Sequence, residues 1–203
     1  MGGIKALVWD LAGVLLHTIR GNFNSMLAER LQAPLEEIER VMDSTENMFW
    51  DMAEISDDEF FGFILRELHL SAEKKAVLQR FVKDDFYVDQ ELLAYIRTLR
   101  QTYSSALLTN FPAHLHEFMR TVWRMDDAFD LIVASCDVKL IKPDPRIYQL
   151  TLERLDVLAH EAVFIDDREI NIRAAEDLGI HAVLYINRKQ TINEVENLLK
   201  TAS

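Results

Sequence analysis

Several short apolar runs in this 203-residue chain end on polar side chains suited to catalysis. The run from Ile4 to Trp9 ends on Asp10, that from Ser105 to Leu108 on Thr109 and Asn110, and that from Ala162 to Ile165 on Asp166 and Asp167. Lys142 stands shortly past a further run, Leu131 to Ala134. Strand ends of one parallel sheet converge in space, and ligands of open α/β sheets bind there. Gathered together, these residues offer carboxylates, a hydroxyl, an amide and one ammonium. Clustered carboxylates repel one another, and burying them is costly. A divalent cation relieves that cost, and an all-oxygen ligand set suits magnesium. A lysine and a hydroxyl beside the metal suit a phosphate. The residues alone therefore suggest a metal-assisted site for an anionic ester, with Asp10 free to attack.

The elements that must position these groups follow from periodicity. Residues 4–9 read as a buried strand, and Gly13 frees the backbone to turn away just past Asp10. Residues 17–88 change character, with helical patterns and no convincing strand. One helix is expected from about Asn22 to Leu31, and one opening at Pro34 with Leu35, Ile38, Val41 and Met42 at helical spacing. A third opens on the capping box Ser56-Asp57-Asp58-Glu59 and runs to Leu68, and a fourth spans about Ala72 to Val82. The Met and aromatic residues here (Met48, Phe49, Trp50, Met52, Phe60, Phe61, Phe63) read mostly as a core of the segment's own, with a minority available to a pocket. From Asp89, which can cap a helix to Leu99, helix and strand alternate. Strands are expected at 105–110, 131–134, 162–165 and 181–185. Helices should start at Pro112 and Pro143, run from Ile170 to Leu178 before Gly179, and open at the capping box Thr191-Ile192-Asn193-Glu194. This alternation implies a parallel sheet with helices on both faces and right-handed crossovers.

Composition narrows the partners. The chain is 49% apolar and 28% charged, as a globular domain is, and its net charge of -12 disfavours nucleic acid and anionic membrane as partners. A single cysteine, Cys136, rules out an internal disulfide and fits a reducing, cytoplasmic setting, where it reads as a small packed side chain. No apolar run reaches the roughly 18 residues that a membrane span needs. The N-terminus has no signal-peptide pattern, and Met1-Gly2-Gly3 departs from a myristoylation signal because position 6 is Ala.

Four segments carry a family resemblance. Val8-Trp9-Asp10-Leu11-Ala12-Gly13-Val14-Leu15, Leu107-Leu108-Thr109-Asn110, Ile141-Lys142-Pro143-Asp144-Pro145 and Phe164-Ile165-Asp166-Asp167-Arg168 resemble, in order and spacing, the four motifs of the haloacid dehalogenase-like (HAD) hydrolases. The resemblance implies a Rossmann-like core at 1–15 and 89–203 with an all-helical cap at 16–88. It implies a magnesium-dependent phosphatase acting on a small phosphate ester through an aspartyl-phosphate. Asp10 would be the nucleophile, and Thr109 and Lys142 would neutralise phosphate oxygens, with Asn110 beside them. Asp10, the backbone carbonyl of Ala12, Asp166 and Asp167 would hold the metal.

The match breaks at Ala12, where phosphatases of this family carry a second aspartate that protonates the leaving group. A positioned acid/base is worth ~10²–10⁴ in rate. The expectation is a slow phosphatase, a leaving group that needs no proton, or a substitute acid. His17 and Arg20 are the nearby candidates for proton transfer and substrate contact; a packed histidine and a solvated arginine are the favoured competing readings. The same holds for His114 and His116, and Arg168 is expected to pair with a neighbouring carboxylate. Three other readings stand. Haloacid dehalogenases lack the second aspartate, but also lack the paired acids present here. Phosphonate hydrolases share the alanine, but use a cap lysine, and Lys74, Lys75 and Lys83 read as surface. A non-catalytic binding protein is the third.

Overall fold

The computed structural model describes residues 3–201, with residues 82 and 83 described by backbone alone. Met1 and Gly2, on which the myristoylation comparison rests, lie outside the described residues. The chain runs β1 (Ala6–Trp9), β2 (Leu16–Thr18), α1 (Phe23–Leu31), α2 (Leu35–Met42), α3 (Thr45–Asp51), α4 (Asp57–Glu67), α5 (Lys75–Asp84) and β3 (Phe86–Val88). It continues α6 (Gln90–Leu99), β4 (Ser104–Thr109), α7 (Leu115–Thr121), β5 (Leu131–Ala134), α8 (Ser135–Val138), α9 (Pro145–Leu155), β6 (Ala162–Asp166), α10 (Glu169–Glu176), β7 (His181–Leu184) and α11 (Arg188–Thr201).

Strands β5-β4-β1-β6-β7 form one five-stranded sheet in that order, every neighbouring pair parallel. The first strand is central, so all four of its residues are buried and it reads as a continuous apolar run. Side chains alternate across the sheet. Leu7, Trp9, Leu107 and Ile165 join Leu92 and Ile96 of α6, Leu115 and Met119 of α7 and Val195 of α11 in one core. Ala6, Val8, Ala106, Leu108 and Phe164 join Ile147 and Tyr148 of α9 and Ile172 and Ala175 of α10 in the other. From β1 the chain first builds outward through β4 and β5, then crosses to β6 and β7 on the other side. Strand order therefore reverses at β1, where a ligand crevice is expected.

Helices α1 to α5 have an apolar cluster of their own, built on Leu27, Leu31, Ile38, Val41, Phe60, Phe61, Ile64, Leu78 and Phe81. Trp50 stacks on Phe60 at 4.5 Å between ring centroids, whereas Met48 and Phe49 stay exposed. The Ser56 capping box forms as expected, with Glu59 N–H on Ser56 Oγ and Glu59 Oε2 on Ser56 N–H. The expectation that residues 17–88 hold no strand is corrected at its edges. Leu16, His17 and Thr18 pair antiparallel with Val88, Tyr87 and Phe86. Each strand is three residues long, too short to show a period of two, and their pairing depends on chain closure rather than local pattern. Helix α3 was also hidden, because no apolar periodicity marks it. Pro112 starts a turn, not a helix; α7 opens at Leu115. The cap of α9 is Asp144, with Pro145 at the first helical position, and Lys142-Pro143 is cis. Thr191 lies buried inside α11 rather than at its start, because Asn187 Oδ1 accepts the Gln190 N–H one turn earlier. No described helix is long and apolar enough to cross a membrane.

Candidate active site

Parallel register decides which strand ends meet. Trp9 is level with Ile165 of β6 and Leu107 of β4, so Asp10 follows directly beside Asp166. The Asp10 amide donates to the Ile165 carbonyl at 2.9 Å, extending the ladder by one bond. Trp9 and Leu11 are both fully buried, and they fix the backbone on either side of the carboxylate. Leu15 and Leu16 amides both donate to the Leu11 carbonyl, closing the turn after the strand.

Lys142 reaches between the two acids. Its ammonium lies 2.7 Å from Asp10 Oδ1 and 2.6 Å from Asp166 Oδ2, with all three side chains buried. The loop carrying Lys142 is held by Asn110: Asn110 Oδ1 accepts the Lys142 N–H at 2.8 Å, and Asn110 Nδ2 donates to the Lys142 carbonyl at 3.0 Å. Both ends of the Asn110 amide are thus engaged with backbone, and it positions Lys142. Thr109 is fully buried, and among the described residues its hydroxyl bonds only the Asn110 carbonyl, at 3.5 Å. Asp166 accepts hydrogen bonds from the Arg168 N–H at 2.8 Å and from Asn171 Nδ2 at 3.0 Å on each oxygen. Tyr148 OH donates to the Asn171 carbonyl from the packed face of α9. Asn171 carries a positioning role that sequence reasoning missed. Its one signal was an amide in the first turns of a helix, five residues after the strand-end aspartate.

Asp10, Asp166 and Asp167 each present an oxygen within 4.8 Å of the others, a cluster that could hold a metal ion. The Asp167 carboxylate tucks against Gly13, where a Cβ would sit 2.1 Å from its Oδ2. Gly13 also has φ of +88°, a conformation that side chains disfavour. Gly13→Ala therefore carries both backbone strain of about 1–2 kcal/mol and a displaced Asp167. The expected outcome is a lower melting temperature and weaker stabilisation by added magnesium in a thermal-shift titration. A variant matching wild type in both would show that this close approach is dispensable.

The charges in the site are finely opposed. Burial is the main force on Asp10 and raises its pKa to about 7; Lys142 pulls against this, and Asp166 and Asp167 push with it. Desolvation, then Asp166, raises Asp167 to about 6. Burial opposes the charge on Lys142, but the facing Asp10 and Asp166 carboxylates outweigh it, and its pKa lies above the ordinary value. Three acids against one ammonium leave a deficit of positive charge that a divalent cation would fill.

Other candidates fall elsewhere. His17, on β2, is flanked by the rings of Tyr87 and Tyr185, each 5.7 Å away, with Nε2 3.4 Å from the Tyr185 hydroxyl. Burial lowers its pKa. The expected candidate for proton transfer and substrate contact thus stands in an aromatic packing position. Arg20 is three-quarters exposed and faces Glu29 at 3.8 Å, so it is a solvated surface charge. His114 bonds Asp57 at 2.8 Å and His116 bonds Asp137 at 2.7 Å. The expected ion pair of Arg168 is replaced by its backbone bond to Asp166. The Cys136 thiol is buried, and its pKa is pushed up to about 11 by desolvation and then by Asp137. Lys74 bonds Gln32 at 3.1 Å and Lys75 pairs with Asp58 at 2.8 Å, both within the helical segment. The Lys83 side chain lies outside the described residues.

Residues 4–179 match the family model of haloacid dehalogenase-like hydrolases. The chain belongs to this hydrolase family. It is 44% identical over 71 residues to mouse acyl-CoA dehydrogenase family member 10, which covers 35% of this chain and only 7% of that protein. Against the mouse bifunctional epoxide hydrolase 2 the match likewise spans only 13% of the relative. The phosphorylated carbohydrates phosphatase of Thermotoga maritima is 29% identical over 98% of this chain and 92% of its own length. Among solved structures, a HAD family enzyme of Bacteroides thetaiotaomicron in its magnesium complex superposes with a TM-score of 0.73. It is 25% identical, with 90% of this chain and 93% of that chain covered.

Proposed function

We propose that the protein is a magnesium-dependent phosphatase acting on a small phosphate ester through an aspartyl-phosphate at Asp10. The observation that carries this reading is the convergence of Asp10, Lys142, Asp166 and Asp167 at the strand-order reversal, with the Thr109 hydroxyl on the adjacent strand end. Resemblance along almost the whole chain to a phosphatase of phosphorylated carbohydrates supports the same class.

The residues present suit the metal. Asp10, Asp166 and Asp167 supply hard oxygen donors, and the Ala12 carbonyl is the backbone donor that the family resemblance implies. Bound there, magnesium supplies charge neutralisation of the phosphoryl group and of the crowded acids. The chain's own groups do the rest. Asp10 attacks phosphorus from a backbone that cannot yield, since both its neighbours are buried. The Lys142 ammonium, already aimed at Asp10, stabilises the phosphoryl oxygens, and Thr109 turns its weakly engaged hydroxyl onto one of them. Asn171 and the Arg168 amide keep Asp166 oriented. Asn110 keeps Lys142 in place.

A panel of phosphate esters, one phosphonate and one haloacid, each with magnesium and with EDTA, tests this function. Orthophosphate release from at least one ester is expected, lost in EDTA and restored by excess magnesium. Halide release that persists in chelator would replace this reading by the dehalogenase one.

A further inference from the structure

Position 12 is Ala, and no other described residue of the β1 turn supplies a carboxyl to protonate a leaving group. The helical segment ends one of its helices on a carboxyl close to the sheet core. Asp51 is the last residue of α3, and this helix end is latched onto the sheet core. Ser135 Oγ donates to the Asp51 carbonyl at 2.6 Å while accepting the Phe111 N–H at 2.9 Å, two residues past Thr109. The Lys139 ammonium bonds the Met52 carbonyl and, at 3.3 Å, the Ala53 carbonyl. Ala53 packs on the core cluster that contains Trp9 and Leu11. The latch leaves the half-buried Asp51 carboxyl without a hydrogen bond or ion pair among the described residues. Two charged groups act on it through space, the Arg168 guanidinium and the Lys142 ammonium, and both belong to loops of the site. Of the other charges near the latch, Lys139 is engaged with backbone carbonyls and Asp137 with His116.

We propose that Asp51 is the catalytic acid/base, doing from the cap what the residue at position 12 does not do; the inference rests on the phosphatase reading above. In the first step an Asp10 oxygen bonds to phosphorus, the bond from phosphorus to the leaving oxygen breaks, and that oxygen takes the Asp51 proton. An alcohol departs, leaving an aspartyl-phosphate and an Asp51 carboxylate. In the second step Asp51 takes a proton from water as the water oxygen bonds to phosphorus. The bond from Asp10 to phosphorus breaks, releasing phosphate and restoring both acids. Burial, against the two nearby cations, raises the Asp51 pKa to about 7, so both protonation states are accessible near neutral pH.

The test compares Asp51→Asn with wild type on an alkyl phosphate, glycerol phosphate, and on p-nitrophenyl phosphate, whose leaving group needs no proton. For the variant, kcat/KM on the alkyl ester is expected to fall about 10²–10³-fold, and on the aryl ester by less than about 3-fold. In wild type the alkyl-to-aryl ratio should drop as pH rises through about 7, and in the variant it should be flat. Ala12→Asp placed on Asp51→Asn should recover at least about 10-fold on the alkyl ester. Equal losses on both esters, or an unchanged ratio, would overturn the proposal. Wild-type turnover of neither ester would instead remove the phosphatase reading, and the inference with it.

Discussion

Asp10→Asn is expected to stop turnover while the fold stands. If Asp10 is the nucleophile proposed above, its loss lowers kcat by up to ~10⁶-fold, or about 8 kcal/mol of barrier, as for a covalent nucleophile that acts with its neighbours as a unit. The stability effect should have the opposite sign. The Asp10 pKa in the metal-free folded protein is about 7 against an ordinary 3.8, so folding disfavours its charged form. That penalty is absent below the ordinary value, grows as pH rises toward 7, and is constant above. The amide removes it, and Lys142 retains Asp166 at 2.6 Å. Melting at pH 8 without metal should therefore be unchanged or higher, alongside lost orthophosphate release. Retained activity in this variant would exclude attack by Asp10.

Lys142→Met is the second large effect. Lys142 is the only cation hydrogen-bonded to either Asp10 or Asp166 among the described residues, and its side chain is buried with theirs. Removing one member of a buried charged cluster leaves the others uncompensated and costs about 3–5 kcal/mol. For a chain of this size that corresponds to a fall in melting temperature on the order of 10 °C at pH 8. The fall should shrink at pH 5, where Asp10 can take up a proton, its pKa being about 7. Added magnesium should restore part of it, because a cation again stands among the acids. On the proposed mechanism activity should drop by about 10²–10³-fold, with loss of the group proposed to face the phosphoryl oxygens. Thermal scans at the two pH values with and without magnesium check this, and a variant that melts with wild type at pH 8 would show that the Lys142 ammonium does not hold the acids together.

Much of this site was legible in one dimension. Apolar runs that end abruptly on Asp10, Thr109 and Asp166 can be read locally, because a central parallel strand is buried on both faces. Lys142 was legible from its place shortly past the run Leu131 to Ala134 and from the family motif that contains it. Residues that serve the site by holding others were less so. Asn110 looked like a ligand contact because an amide at a strand end has the same sequence signature whether it meets substrate or backbone. Only the position of the Lys142 loop shows that both its ends are engaged. His17 looked like a spare acid because it follows the first motif closely, yet β2 turns it between two tyrosines.

The sequence by itself determined the sheet, the strand-end cluster and the anomaly at Ala12, since each depends on residues adjacent in the chain and on periods of two or 3.6. The tertiary structure decided what depends on closure between distant segments. It paired β2 with β3 at the base of the helical segment, and tied α3 to Ser135 and Lys139. Through that tie it brought Asp51 under the electrostatic influence of Lys142 and Arg168. No local pattern encodes such a meeting, because contacts between segments far apart in sequence form only when the whole chain buries its apolar faces.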